Sequence, residues 1–430
     1  MEQDAVSRLP SKQVWRLSAL LGLFALASCG DAATTLPPDP IPPEPPLLAE
    51  CRSGMANQYP CNGVDLVSKL EMHQIGAEST VSDLWGWTDP ATGTEWTLVG
   101  HSSGTSFVGL LDPRKPFYAG VLPMTEGASS SVWRDIKVYR DHAFIVSDGA
   151  GPHGMQVFDL TQLRSVSNAP ATFTASAHYD NVASAHNIVI NEETGFAYVV
   201  GSNSGGETCG GGLHMIDVRA PGNPVFAGCF SDPNTGFSQT GYTHDAMCVV
   251  YNGPDAEYRG RELCFGANET ALSIADVSDK ESPTPISATR YPLSGYTHQV
   301  WLDAAHEYLY MNDEFDEFDA FSQTRTLVWD IKELGDPILA AEFLGATPAT
   351  DHNLYIRGDL LYQSNYRAGL RILNIEDREN PREVAYFDVE PADDLPGFEG
   401  TWSNYPFFAS RIIPVTSMGG GVLFLRLSGN

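Results

Sequence analysis

The sequence predicts an all-β protein, a seven-bladed β-propeller of four-stranded blades closed by an N-terminal strand that completes blade 7. Three observations carry this reading. Histidines recur at nearly constant spacing, with His186, His244, His298 and His352 lying 58, 54 and 54 residues apart. An apolar strand ending in an acid or amide, then a polar turn, usually a proline, and a second apolar strand recurs with the same period. Glycine (40) and proline (29) are plentiful and long amphipathic patterns are scarce, which is an all-β composition.

The N-terminus reads as an address. Arg8, Lys12 and Arg16 precede an apolar run over residues 17–26, followed by Ala27, Ser28 and Cys29. A membrane-spanning helix needs about 20 apolar residues, so this shorter run with its small-residue end predicts a secretory signal peptide over 1–28. Leu26-Ala27-Ser28-Cys29 resembles a bacterial lipobox, which makes Cys29 the expected lipidated N-terminus. Residues 37–46 hold seven prolines in ten positions and favour a stiff polyproline II spacer, so 29–50 is expected to be a tether. The expected location is the bacterial cell envelope, periplasmic or surface-exposed, with membrane contact through the lipid alone.

Charge excludes one class of partner. Lys and Arg number 25 against 54 Asp and Glu, a net charge of −29 that repels phosphate backbones, so no nucleic-acid partner is expected. Of the seven cysteines, six remain once Cys29 is set aside. An even number suits an oxidising compartment, and their order suggests neighbouring pairs among the fifteen possible: Cys51–Cys61, Cys209–Cys229 and Cys248–Cys264. No Cys-x-x-Cys spacing points to a thiolate metal site.

The body of the chain, 51–430, divides into repeats. The acid-turn mark appears at Asp112, Asp217, Asp276, Asp330 and Asn374, with a weaker copy at Asp159 that lacks the proline. A hairpin precedes each, as in residues 187–200. Four strands in about 50 residues is the size of one propeller blade. In register, Trp85, Arg134, His186, His244, His298, His352 and Trp402 take one equivalent position, with steps of 49, 52, 58, 54, 54 and 50 residues. The last repeat lacks an outer strand, and the unpaired segment 64–70 is placed to supply it, removing exposed edges.

Several segments resemble a known family. Cys51…Tyr59-Pro-Cys61-Asn-Gly-Val-Asp65, Gly211-Gly-Leu-His-Met-Ile-Asp217, Tyr242-Thr-His-Asp245 and Tyr296-Thr-His-Gln299 are similar to the choice-of-anchor B family, bacterial surface proteins built of LVIVD repeats. The resemblance covers roughly residues 51–430 and implies a propeller in the cell envelope; it implies no activity.

Candidate chemistry lies in three places. Gly100-His-Ser-Ser-Gly104 matches the Gly-x-Ser-x-Gly nucleophile elbow, but that motif needs a helix after the serine and a strand follows here, so a hairpin turn is expected. Five carboxylates crowd residues 312–319, and Asp313, Glu314 and Asp316 form a candidate calcium loop without EF-hand spacing. The four histidines occupy equivalent positions in consecutive blades, and such positions converge on one rim of a propeller channel. There, imidazoles suit zinc or copper. Asn187, Asp245, Gln299 and Asn353 follow the histidines directly and are expected to orient their rings, while Arg134 is expected to hold an anionic ligand. His101 is expected in a peripheral hairpin. The bland alternative is that each histidine bonds a neighbouring blade and stiffens the ring.

The functional expectation is a lipid-anchored binding or scaffolding module for an envelope protein or small ligand. The alternative is a metal-dependent enzyme or metal-binding protein using the channel histidines.

Overall fold

The computed structural model describes residues 48–429; the expected signal peptide, Cys29 and nearly all of the expected tether lie outside the described residues. Seven antiparallel blades follow one another along the chain. Blade 1 runs Val81–Thr88, Glu95–His101, Gly104–Gly109 and Phe117–Pro123. The Gly-x-Ser-x-Gly stretch is its tight central hairpin, with His101 paired to Gly104. Blades 2 to 6 begin with Arg134–Tyr139, Asn187–Asn191, Asp245–Val250, Thr297–Leu302 and Leu354–Arg357. The seventh begins with Thr401–Asn404 and takes its outermost strand, Val64–Leu70, from the start of the described chain, antiparallel to Gly421–Leu427. The first strands of successive blades pack side by side as an unbroken ring, the seventh against the first.

The recurring acid has a local purpose. Asp112, Asp159, Asp217, Asp276, Asp330 and Asn374 each accept the backbone amide two residues on, at 2.9–3.1 Å. That is the side-chain turn these residues favour, and it reverses the chain between the third and fourth strands. In blade 2, where the proline is missing, a 3-10 helix at Leu160–Ser165 intervenes before the short fourth strand Ala177–Tyr179.

The core is divided in the same way. Each of seven apolar clusters lies between neighbouring blades; Phe265 and Leu272 of blade 4, for example, pack on Val300 and Leu327 of blade 5. The cluster between blades 7 and 1 joins Phe424 and Val422 to Val81 and Val99, and it includes Val67 of the N-terminal strand. The three disulfides join the neighbouring cysteines, Cys51–Cys61, Cys209–Cys229 and Cys248–Cys264. Cys248 and Cys264 sit directly opposite on paired strands. Such bridges mark an oxidising compartment. No described helix is long and apolar enough to cross a membrane.

Candidate functional site

The innermost strands line the channel in three tiers. The histidine tier is Ser82, Arg134, His186, His244, His298, His352 and Trp402. The residues one further on, Asp83, Asp135, Asn187, Asp245, Gln299, Asn353 and Ser403, bind the blades together. Asp83 accepts the Ile136 amide (3.3 Å), Asp135 accepts that of Ile188 (2.7 Å) and Gln299 accepts that of Leu354 (2.5 Å). Three residues beyond the first tier, Trp85, Lys137, Met247, Trp301 and Tyr405 line a cavity at the opposite end.

This register corrects four expectations. Trp85 is not equivalent to the histidines; Ser82 is, because the first strand of blade 1 shifts register between Val81 and Leu84. Arg134 is equivalent, but its side chain is turned away. Its Nε donates to the His101 carbonyl (3.1 Å) and its Nη1 meets His153 Nε2 (2.8 Å), leaving Trp133 to line the cavity. His101 is therefore buried beneath Arg134 and is not peripheral. Asn187, Asp245, Gln299 and Asn353 do not orient the imidazoles, since successive strand residues point in opposite directions. Asn187 Nδ2 donates to the His244 carbonyl (2.9 Å) and Gln299 Nε2 to Asp245 (2.8 Å).

The four histidines stack in an arc. Ring centroids are 4.3 Å apart from His186 to His244, 4.2 Å from His244 to His298 and 4.5 Å from His298 to His352, and Trp402 follows at 4.8 Å. They line a cavity of about 260 Å³ with Glu314, Tyr242, Tyr296 and Tyr366. The tyrosine of the Tyr-Thr-His motif is thus a wall residue, with Tyr296 set edge-on to His244 at 5.2 Å.

Backbone carbonyls fix the rings. His244 Nδ1 donates to the His298 carbonyl (2.9 Å) and His352 Nδ1 to that of Trp402 (2.6 Å), which leaves each Nε2 with a free lone pair. His186 is held by Asp148 through Nδ1 (3.0 Å). His298 differs. It is 1% exposed, and among the described residues no hydrogen bond of good geometry reaches either ring nitrogen. The Asn312 side chain, on the adjacent strand, is its polar neighbour and favours its charged form, while the Asn312 Oδ1 accepts the Gln299 amide at 2.9 Å. Burial, reinforced by the neighbouring rings, holds His244 and His298 well below the usual imidazole range. Burial likewise lowers His352 to about 3. All three are neutral at pH 7, the state in which imidazole binds metal.

Glu314 completes the group. Its Oε2 lies 3.8 Å from His298 Nε2 and its Oε1 3.8 Å from His352 Nε2. Ligand atoms of His244, His298 and Glu314 all lie within 4.8 Å of one another. A tetrahedral zinc with bonds of about 2.0–2.1 Å sets its ligands roughly 3.4 Å apart, so slight inward rotation of the side chains suffices. Burial raises Glu314 to about 7, while Tyr366 donates to its Oε1 at 2.7 Å.

The candidate calcium loop is not one site. Asp313 accepts the Gly295 amide (2.8 Å) and the Tyr291 hydroxyl (2.6 Å), Asp316 pairs with Arg325 (2.7 Å), and Glu314 faces the histidines. The sequence signal for Glu314 was its place just past the second strand of blade 5, on the side where His298 begins the first. Among the described residues one further ligand-like group, Glu207, Cys209 and Cys229, has both cysteines spent on a disulfide.

No family model and no curated relative matches the chain. Solved structures do. A protein of unknown function from Desulfotomaculum acetoxidans aligns at 13% identity and TM-score 0.51, covering 74% of this chain and 87% of its own. Hydrazine synthase of Kuenenia stuttgartiensis aligns at 12% and 0.51, covering 78% and 93%. A chain of the COPII outer coat vertex aligns at 12% and 0.56, covering 82% and 85%. At such identities the likeness is one of fold: the chain is a β-propeller, an architecture that commonly serves as a binding or scaffolding module.

Proposed function

We propose that the protein is a lipid-anchored envelope propeller that binds a transition-metal ion, zinc or copper, through His244, His298 and Glu314, with His352 as a fourth ligand within reach. One observation carries this reading: among the described residues no well-formed hydrogen bond reaches either nitrogen of the buried His298, which stands between a second imidazole and a carboxylate. A buried polar group without a partner costs roughly 1–3 kcal/mol, and a metal bond would satisfy it. The His244 and His352 carbonyl contacts also suit the bland inter-blade role, but His298 makes no such contact. His186, tied to Asp148, stands one ring outside the ligand group.

Calorimetric titration of the whole chain with zinc and with copper tests this reading. One ion per chain supports it; no saturable binding of either ion refutes it. The envelope anchor rests on the lipobox, the proline tether and the disulfides. Cys29→Ser should move the protein from membranes to the soluble fraction, and retention after a salt wash would refute lipidation. The resemblance to the choice-of-anchor B family agrees with such an anchor.

A second reading, docking of an apolar ligand or protein partner at the same end, is favoured by exposed aromatics at the mouth. Phe315, Phe318 and Phe398 are 41%, 46% and 43% exposed and lie within 5.3–6.3 Å of one another.

A further inference from the structure

The opposite end of the channel holds a larger cavity, of about 510 Å³. Its volume falls within the range of small-molecule sites. Aromatic rings line its wall: Trp85 meets Tyr405 at 5.2 Å and Trp301 meets Phe407 at 6.0 Å, with the buried Tyr355 packed against both tryptophans at 5.8 and 5.0 Å. Trp85 and Tyr405 stand edge to face, and Trp301 and Phe407 are stacked.

The charges around this cage are mainly negative. Glu192 and Glu193 line the mouth, exposed and outside any ion pair among the described residues. At the floor, Lys137 lies 2.7 Å from Asp135 and 3.7 Å from Asp83, with Asp245 nearby. Burial pushes the Asp83 and Asp245 carboxyls up, Asp245 to about 6, while Lys137 holds Asp135 down against its burial, so the floor cation is paired with carboxylate and not free. Lys137 also shows what Trp85 accepts, since its ammonium sits 4.6 Å from the indole centroid. A neutral apolar guest would use the rings and leave the carboxylates idle, and an anion would meet both Glu192 and Glu193.

We propose that this cavity binds an organic cation, an ammonium or quaternary ammonium group on a small apolar body. Ring faces attract such cations, and desolvation strengthens the attraction. The site is separate from the histidine cavity and stands whether or not metal binds there.

Choline and its neutral isostere 3,3-dimethyl-1-butanol distinguish the alternatives on the purified whole chain, read by tryptophan fluorescence and calorimetry. Choline should bind at least tenfold more tightly than the isostere. Trp301→Ala should weaken choline at least fivefold, and Trp301→Phe, which keeps a ring, should weaken it less. Equal binding of the two probes, or binding of neither, overturns the proposal, and this comparison needs no variant to fold.

Discussion

The Nδ1 of His244 donates to the backbone carbonyl of His298, 2.9 Å away in the next blade. A single contact thus joins two blades and fixes the tautomer, leaving the Nε2 lone pair of His244 free. Metal-binding histidines are oriented in this way. The ring is stiffened and a ligand atom is left free by the same bond.

Glu314 gives this site a pH dependence with a definite sign. Burial raises it to about 7, so below neutrality a metal must displace a proton from it, while the histidines are already unprotonated. Zinc affinity should fall up to tenfold per pH unit below 7 and level off above it, measured by titration between pH 6 and 8. An affinity independent of pH in that range would remove Glu314 from the ligand set.

The same group affects stability without metal. A carboxyl with a raised native pKa binds more protons folded than unfolded, so its stabilising contribution is present below 4.5 and is lost as pH rises through 7. Glu314→Gln, which does not ionise, should gain on the native protein across that window, by on the order of 3 kcal/mol at pH 8. Denaturant unfolding at pH 4.5 and pH 8 measures the difference.

The N-terminal strand should matter far more than a tail. Deleting residues 51–72 removes Tyr59, Cys61, Val64 and Leu66 from the core between blades 6 and 7 and Val67 from that between blades 7 and 1. It also bares the edge of Gly421–Leu427. The variant should melt several degrees lower and aggregate through that edge. A monomer with unchanged melting temperature would contradict this.

The disulfide between Cys248 and Cys264 closes only one hairpin, across directly paired residues. Replacing both by serine should cost about 2–4 kcal/mol in denaturant unfolding. Peptide mapping without reductant should recover the three neighbouring pairs.

Much of this architecture is legible in the sequence because the repeat marks are local. In blades 1 to 6 the acid or amide that ends the third strand bonds the backbone amide two residues on, so a short motif reports its own turn. Blade 1 was harder to register: Ser82 shares nothing obvious with histidine, and the irregularity after Val81 made Trp85 look equivalent. The orienting role given to Asn187, Asp245, Gln299 and Asn353 ignored strand alternation, which aims them into the next blade. Glu314 was hidden among other acids. It stands in the turn after blade 5's second strand, between Asp313 and Asp316, whose partners lie in the loop and on Arg325.

X-ray absorption of the zinc-loaded whole chain tests the metal site most directly. The first shell should contain two or three imidazole nitrogens at about 2.0–2.1 Å and carboxylate oxygen, and His298→Ala should abolish it. A shell of water oxygens without imidazole scattering, or a spectrum unchanged in His298→Ala, would contradict the account.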